Sequence, residues 1–177
     1  MACSLERELI DKTIEFHGHN CPGLTIGIRV AELARQELDI HQTPNVVCVT
    51  ETDMCGVDAI QFLTGCSFGK GNLIHRDFGK SAFTFFNRDT GKGFRAVFQN
   101  HIARDEDRDR RIQLLLEADL DTLFKVEKMD APPVRPARIL KSIECGSCGE
   151  MTMESRIRLF DGKNLCSPCF QAVEQKI

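Results

Sequence analysis

Hydrophobic residues recur at helical spacing in three segments of the first half of the chain. These segments predict helices over residues 5–16, 22–40 and 56–64. Ser4 precedes the first helix and is a suitable N-cap, Pro22 fits the first position of the second, and Gly65 ends the third. Short segments rich in β-branched and aromatic residues are predicted as strands over residues 45–51, 72–75, 82–86 and 94–99.

A charged amphipathic pattern follows the last of these strands. Leucine, isoleucine and phenylalanine residues form an apolar stripe over residues 105–128, which predicts one long helix. We therefore expect an α+β core domain, a small mixed sheet with flanking helices, over residues 1–129. Three of the chain's six prolines fall in residues 130–140, which predicts an extended linker to a small module at residues 141–177.

Two Cys-x-x-Cys pairs define this C-terminal module. They are Cys145 with Cys148 and Cys166 with Cys169. Each pair offers two thiolates from one turn, and four thiolates close a tetrahedron around Zn²⁺ without leaving a position for substrate. The pattern predicts a structural, treble-clef-type zinc finger with a hairpin over residues 156–163 and a helix over residues 170–176. Two disulfides are the alternative, which a reducing cytoplasm disfavours.

A second group of candidate ligands lies near the N-terminus. His17, His19 and Cys21 flank a glycine turn, and Cys55 recurs at the start of the third predicted helix. Both thiols are predicted at helix N-termini, where the positive end of the dipole favours thiolate. Imidazole and thiolate bind late transition metals readily. We predict a core metal site of Cys21, Cys55 and one or both imidazoles, with Zn, Ni or Fe as candidate ions and one open coordination position.

The same residues allow a catalytic interpretation without metal. Cys21 would be a nucleophile with His17 or His19 as its base, and Cys55 is a further catalytic candidate. Asp58, three residues after Cys55, is assigned either a proton-transfer role or a capping role at the start of its helix.

Composition narrows the functional classes. The net charge is −3 and the pI is about 6.0, so no basic field favours nucleic acid as a partner. The charged N-terminus and the lack of a long apolar run predict a cytoplasmic protein without a membrane partner. In that compartment the nine cysteines are better explained as metal ligands and reduced thiols than as disulfides, with Cys48 and Cys66 predicted as packed residues.

Several motifs, in order, resemble the formylmethanofuran dehydrogenase E-subunit family. They are HGHNCPG at His17–Gly23 with Gly27, Arg29 and Ala31, CGVDAIQ at Cys55–Gln61, Gly65–Cys66, Gly69–Asn72 and FTFFNR at Phe83–Arg88. The resemblance implies an α+β core that dimerises, a Cys/His cleft and, in some members, an appended zinc finger. It does not imply reduction of carbon dioxide, because in the complex that gave the family its name the chemistry lies on other subunits.

Two functional hypotheses follow from these patterns. The first is a metal-binding accessory subunit or small metalloprotein of one-carbon or molybdenum/tungsten enzyme metabolism; if it is an enzyme, the resemblance makes it an oxidoreductase component. Lys70 and Arg88 would then present positive charge to a carboxylate, formyl or phosphate group of an anionic small molecule. The second hypothesis is a dimeric adaptor without catalysis, whose zinc finger docks a protein or nucleic-acid partner.

Overall fold

The chain forms two compact units, Met1–Pro136 and Ala137–Ile177. The computed structural model describes residues 2–38, 40, 45–99, 106–134 and 138–173. The division between the units falls inside the segment predicted as a linker. Within the described ranges, no helix has the length and apolarity needed to cross a membrane.

The larger unit is built from helices that flank one sheet. Its helices are α1 (Arg7–His17), α2 (Pro22–Leu38), α3 (Gly56–Thr64), α4 (Arg108–Glu117) and α5 (Leu120–Leu123). Its strands are β1 (Val46–Thr50), β2 (Leu73–His75), β3 (Ala82–Asn87), β4 (Lys92–Phe98) and β5 (Phe124–Met129). The strand order is β2-β1-β3-β4-β5, and only the β1–β2 pair is parallel. A mixed sheet with flanking helices confirms the predicted α+β class.

Helix α2 is the central element of this unit. Val30 and Leu33 pack towards the sheet, in a cluster that contains the phenylalanines of β3 and β4. Ile28 and Ala31 pack with α1 and α3 in a second apolar cluster. Burying a side chain of valine or leucine size contributes about 1.5–3 kcal/mol. Because α2 is covered on both sides, it holds α1 and α3 against the sheet.

Arg29 on α2 is fully buried and binds the end of α4. Its guanidinium donates to the carbonyls of Leu116 at 3.1 Å and Ala118 at 2.6 Å, and it lies 3.1 Å from the Glu32 carboxylate. The last carbonyls of a helix have no partner within the helix. Arg29 supplies that partner, and the buried charge is balanced by Glu32.

The predicted cap of α1 is wrong. Glu6 occupies the N-cap position, whereas the N–H and the hydroxyl of Ser4 each donate to Glu32 Oε1 at 2.7 Å. Ser4 therefore stabilises a buried carboxylate, and α1 begins two residues later than predicted, at Arg7.

The predicted long helix over residues 105–128 is also wrong in its second half. Residue 105 lies outside the described residues, and α4 ends at Glu117 because Ala118 and Asp119 are extended. The single turn of α5 leads into β5, which pairs antiparallel with β4. Buried and exposed side chains alternate at the start of β5, which is the period of a strand. Residues 124–129 thus form a strand, despite their helical pattern, because they hydrogen-bond to the free edge of β4.

The turn between β3 and β4 is shorter than the gap between the strands predicted over residues 82–86 and 94–99. The strands reach Asn87 and Lys92, so the turn is confined to residues 88–91. Asn87 Oδ1 accepts the N–H groups of Asp89 at 2.9 Å and Thr90 at 3.3 Å, which stabilises the turn.

The smaller unit consists of two hairpins and a short helix. Its elements are β6 (Ser142–Glu144), β7 (Met151–Met153), a 3₁₀ turn (Glu154–Arg156), β8 (Arg158–Phe160), β9 (Lys163–Leu165) and α6 (Ser167–Ala172). The hairpin predicted over residues 156–163 is displaced towards the C-terminus. The helix begins at Ser167 rather than at Phe170, since Pro168 fits its first turn. Residues 174–176 of the predicted helix lie outside the described residues.

Candidate metal centres

Four candidate ligands of the larger unit meet where α2 and α3 begin. His17 is the last residue of α1, and Gly18 then turns the chain with a φ of 91°. His19 follows this turn, Cys21 directly precedes α2, and Cys55 directly precedes α3. The potential ligand atoms of His17, His19, Cys21 and Cys55 all lie within 4.8 Å of one another. We call these four residues the core cluster.

Two glycines allow α2 and α3 to cross closely beside this cluster. A Cβ on Gly27 would lie 2.2 Å from the carbonyl oxygen of Gly56 and 2.4 Å from its Cα. These are backbone atoms, which cannot move aside as the end of a flexible side chain can. Because Cys55 directly precedes Gly56 and Cys21 lies less than two turns from Gly27, the crossing sets the separation of the two thiols.

The two thiols have different surroundings. Cys21 Sγ accepts the N–H of Leu24 at 3.3 Å, as expected for a residue at a helix start. Burial raises the pKa of the Cys55 thiol, and the hydrogen bond and charge of Cys21 raise it further. Burial and Cys21 thus oppose the thiolate that the helix start at Cys55 is predicted to favour. A cation between the sulfurs would allow both to be ionised.

The two ring nitrogens of His17 differ in their surroundings. Nδ1 lies 2.7 Å from Asp58 Oδ2, and the side chain is only 9% exposed. Among the described residues, none offers a hydrogen-bond partner to His17 Nε2, although this atom is buried. A buried polar atom without a partner costs free energy, and a metal ion would provide the partner. The donors of the core cluster thus fit a transition metal.

Asp58 contacts His17, and this contact was not among the roles predicted for it. Within the described residues no side chain caps α3, so the capping role considered for Asp58 is wrong. Its carboxylate instead accepts from His17 and, at 3.4 Å, from Gln61 Nε2. The spacing of three residues from Cys55 already placed Asp58 on the first turn of α3, beside the cluster. The contact with His17 joins residues far apart in the chain, and no local pattern indicates it.

Lys70 and Arg88 each bind a main-chain carbonyl. Lys70 Nζ donates to Gly65 at 2.7 Å, at the C-terminal end of α3, where a cation also complements the helix dipole. Arg88 donates to the carbonyl of Val134 at 3.1 Å. Both contacts are structural, and anion binding by either residue stays a prediction. Cys66 is fully buried at the far end of α3, as its predicted packing role requires.

The cysteines of the smaller unit form a second cluster. Cys145 and Cys148 lie in the turn between β6 and β7, whereas Cys166 and Cys169 flank the start of α6. Their four sulfurs lie within 4.8 Å of one another, and the Cys166 N–H donates to Cys145 Sγ at 3.3 Å. This geometry fits the predicted four-thiolate zinc site.

The unequal pKa values of these thiols also favour a bound dication. Backbone N–H groups of Cys148, Cys166 and Ser147 lower the pKa of Cys145 to about 6. At Cys148 the N–H of Glu150 lowers the pKa, but desolvation and the neighbouring thiols together raise it to about 12. One sulfur ionises readily while another keeps its proton. Zn²⁺ removes this conflict because it stabilises all four thiolates at once.

Comparisons with known proteins match both units. The family model FmdE, described as "Molybdenum formylmethanofuran dehydrogenase operon", matches residues 16–131, which include the core cluster. The prokaryotic dksA/traR C4-type zinc finger matches residues 138–175. Fold and sites thus define a metal-binding α+β protein with a C-terminal four-cysteine zinc finger. The chain belongs to the FmdE family, as its motifs predict.

Two individual proteins illustrate this relationship. The crystal structure of a tungsten formylmethanofuran dehydrogenase FmdE-like protein from Syntrophus aciditrophicus has a TM-score of 0.70 and 23% identity, covering 99% of this chain and 100% of that one. At this identity the likeness shows the fold. A "Probable S-adenosyl-L-methionine-binding protein" of Archaeoglobus fulgidus is 29% identical over 194 residues, covering 91% of this chain and 52% of that protein. The chain thus spans about half the length of that relative.

Proposed function

We propose that the core cluster binds one exchangeable transition-metal ion and that the protein serves as an accessory subunit or small metalloprotein of one-carbon or molybdenum/tungsten enzyme metabolism. The observation that carries the proposal is the meeting of four nitrogen and sulfur donors within 4.8 Å, with His17 Nε2 buried and unbonded among the described residues. Zn, Ni or Fe would suit these donors, since the ligand types alone do not select among late metals.

Differences in exposure among the four donors suggest how the site would work. His17 is almost fully covered and the two cysteines are half-buried, whereas His19 is exposed. The buried donors would hold the ion, and His19 would be the ligand that a substrate or partner protein displaces. A bound ion would supply Lewis acidity or an activated water. Two thiolates would offset the charge of a dication and so favour retention in a half-buried site.

The family provides the metabolic context of this proposal. The description of the FmdE model names formylmethanofuran dehydrogenase, and the Archaeoglobus relative is named for S-adenosyl-L-methionine, a carrier of one-carbon units. Both names support one-carbon chemistry. The zinc finger would have a structural role, because four thiolates leave no coordination position for substrate.

We also propose that the larger unit forms a homodimer. Large apolar side chains remain more than half exposed on it, namely those of Phe16, Met54, Phe68 and Phe78. A second copy would remove apolar area of this kind from water.

The test of the metal proposal uses the full chain with zinc already bound to the finger. Titration with Co²⁺ should show uptake of one further ion per chain, with thiolate-to-cobalt charge-transfer absorption. Cys21→Ser and Cys55→Ser should each weaken this uptake at least tenfold, because each removes a thiolate donor. Cys3→Ser is the matched control, since Cys3 lies outside both clusters.

Either of two results would contradict the proposal. The first is a wild-type chain that takes up no ion beyond that of the finger. The second is uptake by both serine variants that equals that of the Cys3 control. In that second case the core cluster would be better explained by the cysteine-nucleophile hypothesis, in which Cys21 would react with an alkylating agent faster than Cys3.

A further inference from the structure

We infer that Asp58 is a positioning residue that fixes the tautomer and orientation of His17, so that Nε2 of this imidazole faces the metal ion. The inference rests on the proposed function, since it assigns a ligand atom within the same site. It adds a residue that binds no metal itself but determines how tightly the site holds one.

The first step is the direction of the hydrogen bond. His17 Nδ1 lies 2.7 Å from Asp58 Oδ2, and a carboxylate oxygen accepts. Nδ1 therefore carries the proton, and in neutral imidazole the lone pair is then on Nε2. This is the nitrogen that is buried and without a hydrogen-bond partner among the described residues. The tautomer set by Asp58 is thus the one that leaves the inner nitrogen free to coordinate.

The second step is the placement of Asp58 itself. It lies on the first turn of α3, three residues after Cys55, and Gln61 Nε2 donates to its other oxygen at 3.4 Å. The bond to His17 therefore joins two helices. One is α1, which ends at His17, and the other is α3, which begins directly after Cys55. A carboxylate behind a ligating imidazole commonly raises metal affinity by 10–100-fold, because it orients the ring and increases its basicity.

The third step is the contrast between the two imidazoles. His19 is exposed, and its ring centroid lies 4.4 Å from that of His17. Asp58 contacts His17, so the two rings differ in how firmly they are held. This contrast supports a fixed ligand at His17 and an exchangeable one at His19.

The first readout needs no metal in the core cluster. Long-range ¹H–¹⁵N NMR of the imidazoles, at a pH where they are neutral, should show His17 protonated at Nδ1 in the wild-type chain. In Asp58→Ala this proton should shift largely to Nε2. Asp53→Ala should leave the His17 signal unchanged, because Asp53 is an exposed carboxylate just before the same helix.

The second readout is Co²⁺ affinity of the full chain with a zinc-loaded finger. Asp58→Ala should weaken binding about 10–100-fold. Asp58→Asn should recover part of this loss, because the amide oxygen can still accept from Nδ1, whereas Asp53→Ala should stay within about threefold of wild type. Circular dichroism of each variant checks that the fold is retained, and Asp58→Asn preserves the packing if the alanine variant unfolds.

These outcomes separate the inference from the proposed function. If the wild type binds no second ion, the proposed function fails, and the tautomer of His17 still tests the role of Asp58. If Asp58→Ala keeps both the Nδ1 proton and wild-type affinity, the inference is overturned while the metal site stands. Equal losses of affinity in Asp58→Ala, Asp58→Asn and Asp53→Ala would also overturn it, since they would show a general effect of charge.

Discussion

Replacing Gly27 with alanine should both destabilise the larger unit and weaken the metal binding proposed for the core cluster. The new Cβ would lie 2.2 Å from the Gly56 carbonyl oxygen, whereas ordinary contacts begin at 3.4 Å. To relieve the overlap, α2 and α3 would have to separate by about 1 Å, which also moves Cys55 away from Cys21. Overpacking of this kind costs about 3 kcal/mol, and the higher helix propensity of alanine returns about 1 kcal/mol. The net loss is about 2 kcal/mol.

Thermal unfolding followed by circular dichroism measures this loss. A unit of about 136 residues has an unfolding entropy of about 0.29 kcal/mol/K, so the transition should fall by about 7 °C. Co²⁺ titration of the same variant should show weaker uptake by the core cluster. The matched control for stability is Gly23→Ala, the same change one turn earlier on α2, because a Cβ there would meet its nearest neighbour, the Cys55 Cβ, at 3.4 Å. This Cβ would also lie 3.9 Å from the sulfurs of Cys21 and Cys55, so the Co²⁺ titration is compared with the wild type.

The control should unfold within about 2 °C of wild type, since an ordinary contact adds little strain and alanine suits a helix. If Gly27→Ala unfolds no earlier than Gly23→Ala and binds Co²⁺ as well as the wild type, the close crossing does not determine the geometry of the site. A loss of stability with unchanged metal affinity would contradict only the link between the crossing and the two thiols.

Three further predictions concern the finger, the dimer and the sheet. Cys145→Ser combined with Cys148→Ser should remove one zinc per chain by metal analysis and make only the C-terminal unit sensitive to protease; full zinc content would refute the assignment. The wild type and this double variant should both sediment as dimers at micromolar concentration, because the proposed interface lies on the larger unit. Sedimentation of the wild type as a monomer would contradict the proposed dimer. Arg95 binds Glu51 through two hydrogen bonds, at 2.6 and 2.9 Å, and these lower the pKa of that carboxyl. The pair therefore stabilises the fold above the unfolded pKa of about 4.3 and loses this effect as the pH falls through the folded value. Arg95→Gln should cost about 1 kcal/mol in denaturant unfolding at pH 7 and little at pH 3; an equal cost at both pH values would exclude the ion pair as the cause.

Local patterns predicted those parts of the structure that local chemistry determines. The bounds of α3 agree with the prediction because Gly65 adopts the left-handed conformation that ends a helix. Cys21 and Cys55 were expected at helix starts for the same kind of reason, a proline or glycine directly after each. Since ligand types and turn residues are both visible in one sequence, the four members of the core cluster could be predicted from the sequence alone.

Tertiary interactions determine the features that local sequence patterns did not predict. Phe124 begins a strand because β4 offers an unpaired edge, which the preceding amphipathic pattern does not reveal. Ser4 binds Glu32 instead of capping α1 because that carboxylate is buried beside Arg29. In each case a long-range partner competes successfully with a local preference worth about 1 kcal/mol.

The geometry of the core cluster depends on residues of this second kind. Glycine is unfavourable within a helix, and the close approach of α2 and α3 explains both Gly27 and Gly56. A Cβ on Gly27 would overlap Gly56, and a Cβ on Gly56 would lie 2.9 Å from the Gly23 carbonyl oxygen and 3.1 Å from the Gly27 nitrogen. Asp58 has the spacing of a helix cap, but it binds an imidazole 41 residues earlier in the chain. The candidate ligands of the proposed metal site can thus be identified from residue type and turn chemistry. The crossing that spaces them and the carboxylate that orients one of them emerge only when the helices pack.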